Sequence, residues 1–140
     1  KTIYQFDFCC EKKDLYIYPN LKNKFIETNF LGWLEIYKFL KNLSKYDLII
    51  IPSLYESFSI AAYQALLFKK PIIITKNSPW EYISYKNPDL PIKTCSPLLK
   101  NYNLEKLINL INNTHHLDTN KLSRKFIQEC IKNESKSFHN

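Results

Sequence analysis

Apolar side chains recur along this chain at two spacings. From Thr2 to Phe8 apolar and polar residues alternate, the pattern of an edge strand with one wetter face. Leu15 to Tyr18 is a second short strand candidate, ended by Pro19 and Asn20, and Asn20 to Lys24 is polar loop. Leu34 to Leu43 then sets Ile36, Phe39, Leu40 and Leu43 at helical spacing, a stripe expected to pack on one face of a sheet. Tyr46 to Ile51, closed by Pro52, and the β-branched run Pro71 to Thr75 read as buried strands bounded by turn residues. Between them a helix is predicted to start at Ser57 to Ser59, where hydroxyls can satisfy its first free amides, and to run through an Ala- and Leu-rich segment to Phe68.

Downstream, Lys76 to Trp80 reads as a turn and Pro88 to Pro97 as a proline-rich connector. Asn103 can cap a helix through Asn112 with Leu104, Leu107, Ile108 and Ile111 inward; Leu122, Phe126, Ile127 and Cys130 mark another apolar stripe. His115 and His116 fall in the intervening loop, where adjacent histidines point different ways more often than they share a ligand. The unit strand, turn, helix, strand predicts an α/β fold with a parallel sheet, its first turn at the sheet's carboxyl edge, where open α/β sheets bind ligands.

Composition narrows the classes. With 45% hydrophobic and 15% aromatic residues in 140, the chain is expected to form one domain over residues 1–140 with a continuous core. It has no methionine and begins at Lys1, and is read as a piece of a longer protein. The net charge of +7 suits phosphates, nucleic acid or an acidic membrane surface, yet no seven-residue stretch is dominated by Lys or Arg. Around Lys121, Arg124 and Lys125 a solvated helix face is preferred to a membrane or nucleic-acid patch. A nucleic-acid module stacking bases on tyrosines ranks lower, because strands and helices already account for most of the aromatics.

Cys9, Cys10, Cys95 and Cys130 lack paired spacing, so buried or free thiols in a reducing compartment are expected, with no structural metal. No apolar run reaches the roughly 20 residues of a membrane span. The expected location is the cytoplasm or the cytoplasmic face of a membrane, where peripheral contact is allowed.

The first turn carries the candidate chemistry. Free amides at Phe58, Ser59 and Ile60 would face an anion, favoured by the positive end of the helix dipole. Glu56 sits just outside. A carboxylate there can only accept hydrogen bonds, which suits sugar hydroxyls better than phosphate, although an acidic residue near a helix start can also simply complement the dipole. Trp33 precedes a helix, where a core or staple role is preferred to a platform for a base.

The run Pro52, Ser53, Leu54, Tyr55, Glu56, Ser57, Phe58, Ser59, Ile60, followed by Gln64, Ala65, Leu66 and then Lys70, Pro71, Ile72, resembles the nucleotide-sugar signature of retaining GT-B glycosyltransferases of the family 4, or group 1, type. Phe30, Leu31 and Gly32, fifteen residues ahead of Asp47, match that family's Gly-containing strand end; the resemblance is best over 30–83 and looser over 84–140. It implies a Rossmann-like parallel sheet flanked by helices, like the C-terminal, donor-binding half of the GT-B fold.

The resemblance also implies residue roles. Glu56 would contact the transferred sugar as the catalytic position, Gly32 and Trp33 would lie near the nucleobase, Ser57, Phe58, Ser59 and Ile60 would hold the diphosphate, and Gln64 would face the ribose. Glu81 matches a possible acidic position. The family has a second glutamate where this chain has Gln64, glycines at the positions of Ser57, Ser59 and Lys69, and a Gly-rich turn at Lys76 to Trp80. Its upstream basic pair has no counterpart at matching spacing; Lys12, Lys13, Lys22 and Lys24 lie in that region.

The implied activity is transfer of a hexose from a nucleoside diphosphate sugar to a hydroxyl acceptor, with no cofactor and with a partner N-terminal domain supplying the acceptor site. The alternative is a non-catalytic binding or interaction module of the same fold.

Overall fold

The computed structural model describes residues 4–14, 21–53, 58–99 and 101–138. Among them the order is β1 (Tyr4–Phe8), a short 3-10 turn, β2 (Ile26–Phe30), α1 (Ile36–Leu43), β3 (Ile49–Ile51), α2 (Ile60–Leu67), β4 (Ile72–Thr75), α3 (Pro79–Lys86), β5 (Ile92–Cys95), α4 (Leu104–Thr114) and α5 (Arg124–Phe138). The fold is α/β and Rossmann-like in arrangement, with five α-helices and two small parallel sheets, β1-β2 and β3-β4-β5, among the described residues. The strand candidate Leu15 to Tyr18 lies outside the described residues.

Strand β4 sits at the centre of the larger sheet, paired with β3 through Ile49–Ile72 and with β5 through Ile72–Ile92. All four of its residues are buried, as expected for a parallel strand covered on both faces and reading as an unbroken β-branched run. Because side chains alternate across a strand, its residues divide between two cores. Ile72 and Ile74 join Ala62, Leu66, Trp80, Ile83 and Ile127 under α2, α3 and α5. Ile73 faces the opposite side, with Leu107 and Ile111 of α4 and with Phe6, Phe8 and Phe30 of the smaller sheet packed against them.

The two sheets meet through side chains. Tyr46, just before β3, donates its hydroxyl to Asp7 Oδ2 at 2.7 Å, and Asn29 Nδ2 donates to Asp7 Oδ1 at 3.0 Å, so one β1 carboxylate ties β2 to the start of β3. Tyr4 donates to Asn112 Oδ1 on α4 at 3.0 Å. The hydrogen bond from Tyr46, followed by that from Asn29, holds the Asp7 carboxyl below the ordinary carboxylate range.

Three expectations change. The connector Pro88 to Pro97 contains strand β5, because Ile92 to Cys95 gains a partner in β4 that local composition does not reveal. The Lys76 to Trp80 turn is shorter than read: Pro79 sits at the first helical position of α3, where its missing amide hydrogen costs nothing, and Trp80 belongs to the helix. The α1 stripe packs less completely than its periodicity implies, with Leu43 buried and Ile36 exposed. No helix among the described residues is long and apolar enough to cross a membrane.

Candidate functional site

The segment joining β3 to α2 is held at both ends by the neighbouring βα unit. Thr75, fully buried at the carboxyl end of β4, donates its hydroxyl to the carbonyl of Ser53. Trp80, with no exposed surface, donates its indole N–H to the carbonyl of Phe58. The Phe58 ring packs 5.3 Å from Trp80 and 6.5 Å from Tyr63, centroid to centroid. Neither Thr75 nor Trp80 stood out in the sequence as a site residue, since both also fit a strand end and a core aromatic.

This anchoring presents Ser59 as the N-cap of α2. Its φ is +60°, in the left-handed region that a non-glycine residue rarely enters, and N-caps ordinarily lie in the β region. Its hydroxyl accepts from the Ala62 amide at 3.3 Å, and the Ser59 carbonyl accepts from the same amide at 3.1 Å. The amides of Phe58, Ser59 and Ile60 donate to no other described residue, and those of Ser59 and Ile60 lie at the positive end of the α2 dipole.

Gln64 lies one turn beyond Ile60 on the same face of α2, half-buried; the Ile60 side chain is exposed. At its other end α2 closes in a Schellman motif: Lys69 N–H donates to Leu66 O at 2.9 Å and Lys70 N–H to Ala65 O at 3.0 Å, with Lys69 at φ +58°.

Glu56 and Ser57, read as the sugar-contacting and first phosphate-side positions, lie outside the described residues. The structure brings Phe58, Ser59, Ile60 and Gln64 together on the first turns of α2. It does not join them to Gly32 or Trp33 by any hydrogen bond or ring contact among the described residues. Gly32 has φ +69° and open space where a Cβ would stand, so backbone conformation rather than close approach calls for glycine there. Trp33 is 82% exposed and belongs to neither hydrophobic cluster, which overturns its reading as a core residue; it directly follows the positive-φ Gly32. Glu81 lies exposed in the first turn of α3.

Positive charge collects at the same sheet edge. Lys76 follows Thr75 and donates its amide to Cys95 O at 2.9 Å. Burial pushes the Cys95 thiol up to about 11, and the nearby charges of Lys76 and Lys106 oppose the rise. Ser78 opens α3 with its hydroxyl oxygen buried and without a hydrogen-bond partner among the described residues. Beside α2, Phe58, Tyr63, Gln128, Ile131 and Lys132 line an open groove of about 460 Å³.

The four cysteines are free thiols, Cys95 and Cys130 buried, in keeping with the expectation for them. His115 and His116 lie close, ring centroids 3.5 Å apart, rather than pointing apart; an interaction of His115 Nδ1 with Ile111 O at 3.1 Å draws the first ring back over α4. No group of three or more His, Cys, Asp or Glu among the described residues is arranged to hold a metal ion. No protein-family model, curated protein or solved structure matches this chain.

Proposed function

We propose that this chain is the donor-binding domain of a GT-B-type glycosyltransferase, which binds a nucleoside diphosphate sugar and, with an N-terminal acceptor domain, transfers its hexose to a hydroxyl. The observation that carries the reading is the left-handed Ser59 at the α2 N-cap. A conformation costing roughly 1–2 kcal/mol in a non-glycine residue is kept where the resembled family places glycine. In this reading that conformation leaves the amides of Phe58, Ser59 and Ile60, which have no partner among the described residues, available to an anion. Lys69 and Gly32, the other two positive-φ residues described, also fall on positions where that family uses glycine, although the Schellman closure accounts for Lys69 without reference to a ligand.

In this reading the diphosphate lies on the α2 amides with Lys76 adding charge at the sheet edge, Gln64 bonds a ribose hydroxyl, and Glu56 accepts from hydroxyls of the transferred sugar. The second reading, a non-catalytic binding module, is favoured by the neutral amide of Gln64, which cannot accept from both ribose oxygens as a carboxylate would.

Calorimetric titration with uridine, guanosine and adenosine diphosphate sugars, and with the free diphosphates, tests the proposal. Saturable binding is expected for one base, and Glu56→Gln is expected to weaken the intact sugar nucleotide more than its diphosphate. Equal loss for both ligands removes the sugar-contacting role. A folded chain that binds none of them removes the donor site.

A further inference from the structure

Among the described residues, four of the nine exposed large hydrophobics fall between positions 31 and 37: Leu31, Trp33, Ile36 and Tyr37, the last 81% exposed. Apolar residues scattered singly over a surface need no explanation, but a cluster holding the most exposed aromatics described does. These four exposed residues lie within seven positions at the start of α1, the α1 shoulder. Trp33 makes no ring contact with another described residue, and α1 buries only Leu43 against the rest of the molecule.

The surface beside it is basic. On the helical wheel Tyr37, Lys41 and Lys38 share the outward face of α1. Lys38 and Lys41 form no ion pair with a described residue. Lys45 follows the helix, and Lys70 Nζ donates to Ser44 O at 3.3 Å, which brings Lys70 against the end of α1. Between 31 and 45 the only acidic residue is Glu35. Exposed indole and phenol rings suit a boundary that is apolar on one side and wet on the other, and unpaired lysines next to them suit a layer of negative charge.

We propose that this segment docks on an anionic lipid bilayer, with Trp33, Ile36 and Tyr37 entering the boundary between headgroups and acyl chains and Lys38 and Lys41 meeting lipid phosphates. The charge selects a lipid surface over a neutral apolar partner. The inference does not rest on the nucleotide-sugar reading, although the resemblance would put Trp33 near the base; vesicle binding and nucleotide binding are distinct measurements on one chain, and Tyr37, Lys38 and Lys41 belong to the first alone.

The chain has two tryptophans, and Trp80 is fully buried, so a change in tryptophan emission on adding vesicles reports Trp33. Vesicles of phosphatidylcholine containing phosphatidylserine are expected to co-float with the chain and shift its emission to the blue, whereas pure phosphatidylcholine vesicles do neither. Lys38→Glu with Lys41→Glu is expected to weaken partitioning roughly thirtyfold or more, from about 1 kcal/mol per lysine near such a surface. Trp33→Ala with Tyr37→Ala is expected to abolish flotation while leaving thermal unfolding unchanged. The proposal is overturned if anionic vesicles bind no better than neutral ones, or if binding survives both double variants. Concentration-dependent dimerisation that Trp33→Ala with Tyr37→Ala removes, without vesicle binding, would overturn it in favour of a second copy on the shoulder.

Discussion

Ser59 and Lys69 both carry φ near +60°, but different forces hold them there. Lys69 is the left-handed residue of a helix closure, exposed and without a side-chain partner that fixes it. Lys69→Gly removes about 1–2 kcal/mol of backbone strain and returns part of it as unfolded-state entropy. A net gain of roughly 0.5–1 kcal/mol is expected, read as a higher urea midpoint. Ser59 is fixed by the anchored turn and also caps α2, so Ser59→Val loses the cap and adds a β-branched side chain to a left-handed position. A loss of roughly 2–3 kcal/mol is expected on denaturant unfolding.

Asp7 gives a residue-scale test with a pH signature. Its pKa is lowered by the Tyr46 hydrogen bond first and Asn29 second, so the stability it contributes is full above the ordinary value of 3.8 and lost as pH falls through the lower folded value. Tyr46→Phe is expected to cost about 1–2 kcal/mol near neutral pH, discounted for partial exposure. Urea titrations at a series of pH values should show that gap narrowing only below the ordinary carboxylate range. A gap independent of pH would mean that Tyr46 acts by packing alone.

At the scale of elements, the described ends of the β3–α2 connection, Ser53 and Phe58, are tied to the next βα unit through Thr75 and Trp80. Trp80→Phe keeps an aromatic ring in the core but leaves the Phe58 carbonyl without its donor. It is expected to cost about 2 kcal/mol and to speed hydrogen exchange at the amides of the first turn of α2 more than elsewhere. Those two anchors also mark the limit of what pattern reading reaches. The β-branched runs of β3 and β4 and the capped helix between them were legible, because period and end signals lie within a few residues. Strand β5 was not, since Ile92 to Cys95 is too short to show a period and its identity as a strand comes from pairing with β4. Trp33 was misread for a related reason: an aromatic before a helix resembles a staple, and nothing local shows that the ring is exposed.

At the scale of the molecule, alternation along β4 divides the hydrophobic residues into two cores and leaves the α2 and α3 starts on one sheet edge with Lys76. That edge is where the diphosphate cradle is proposed. The strand and helix between which the cradle is proposed were legible in the sequence in the right order, whereas the left-handed Ser59 and its anchoring were not, because the anchors lie about twenty residues away.

The most direct test of the cradle is an amide NMR titration of the 15N-labelled chain with nucleoside diphosphates and their sugars. Saturable shifts concentrated at Phe58, Ser59 and Ile60, and extending to the Gln64 side-chain amide, are expected for the ligand with the recognised base. Shifts that centre elsewhere on a folded chain, or none at saturating ligand, would contradict the assignment of this turn as the diphosphate site.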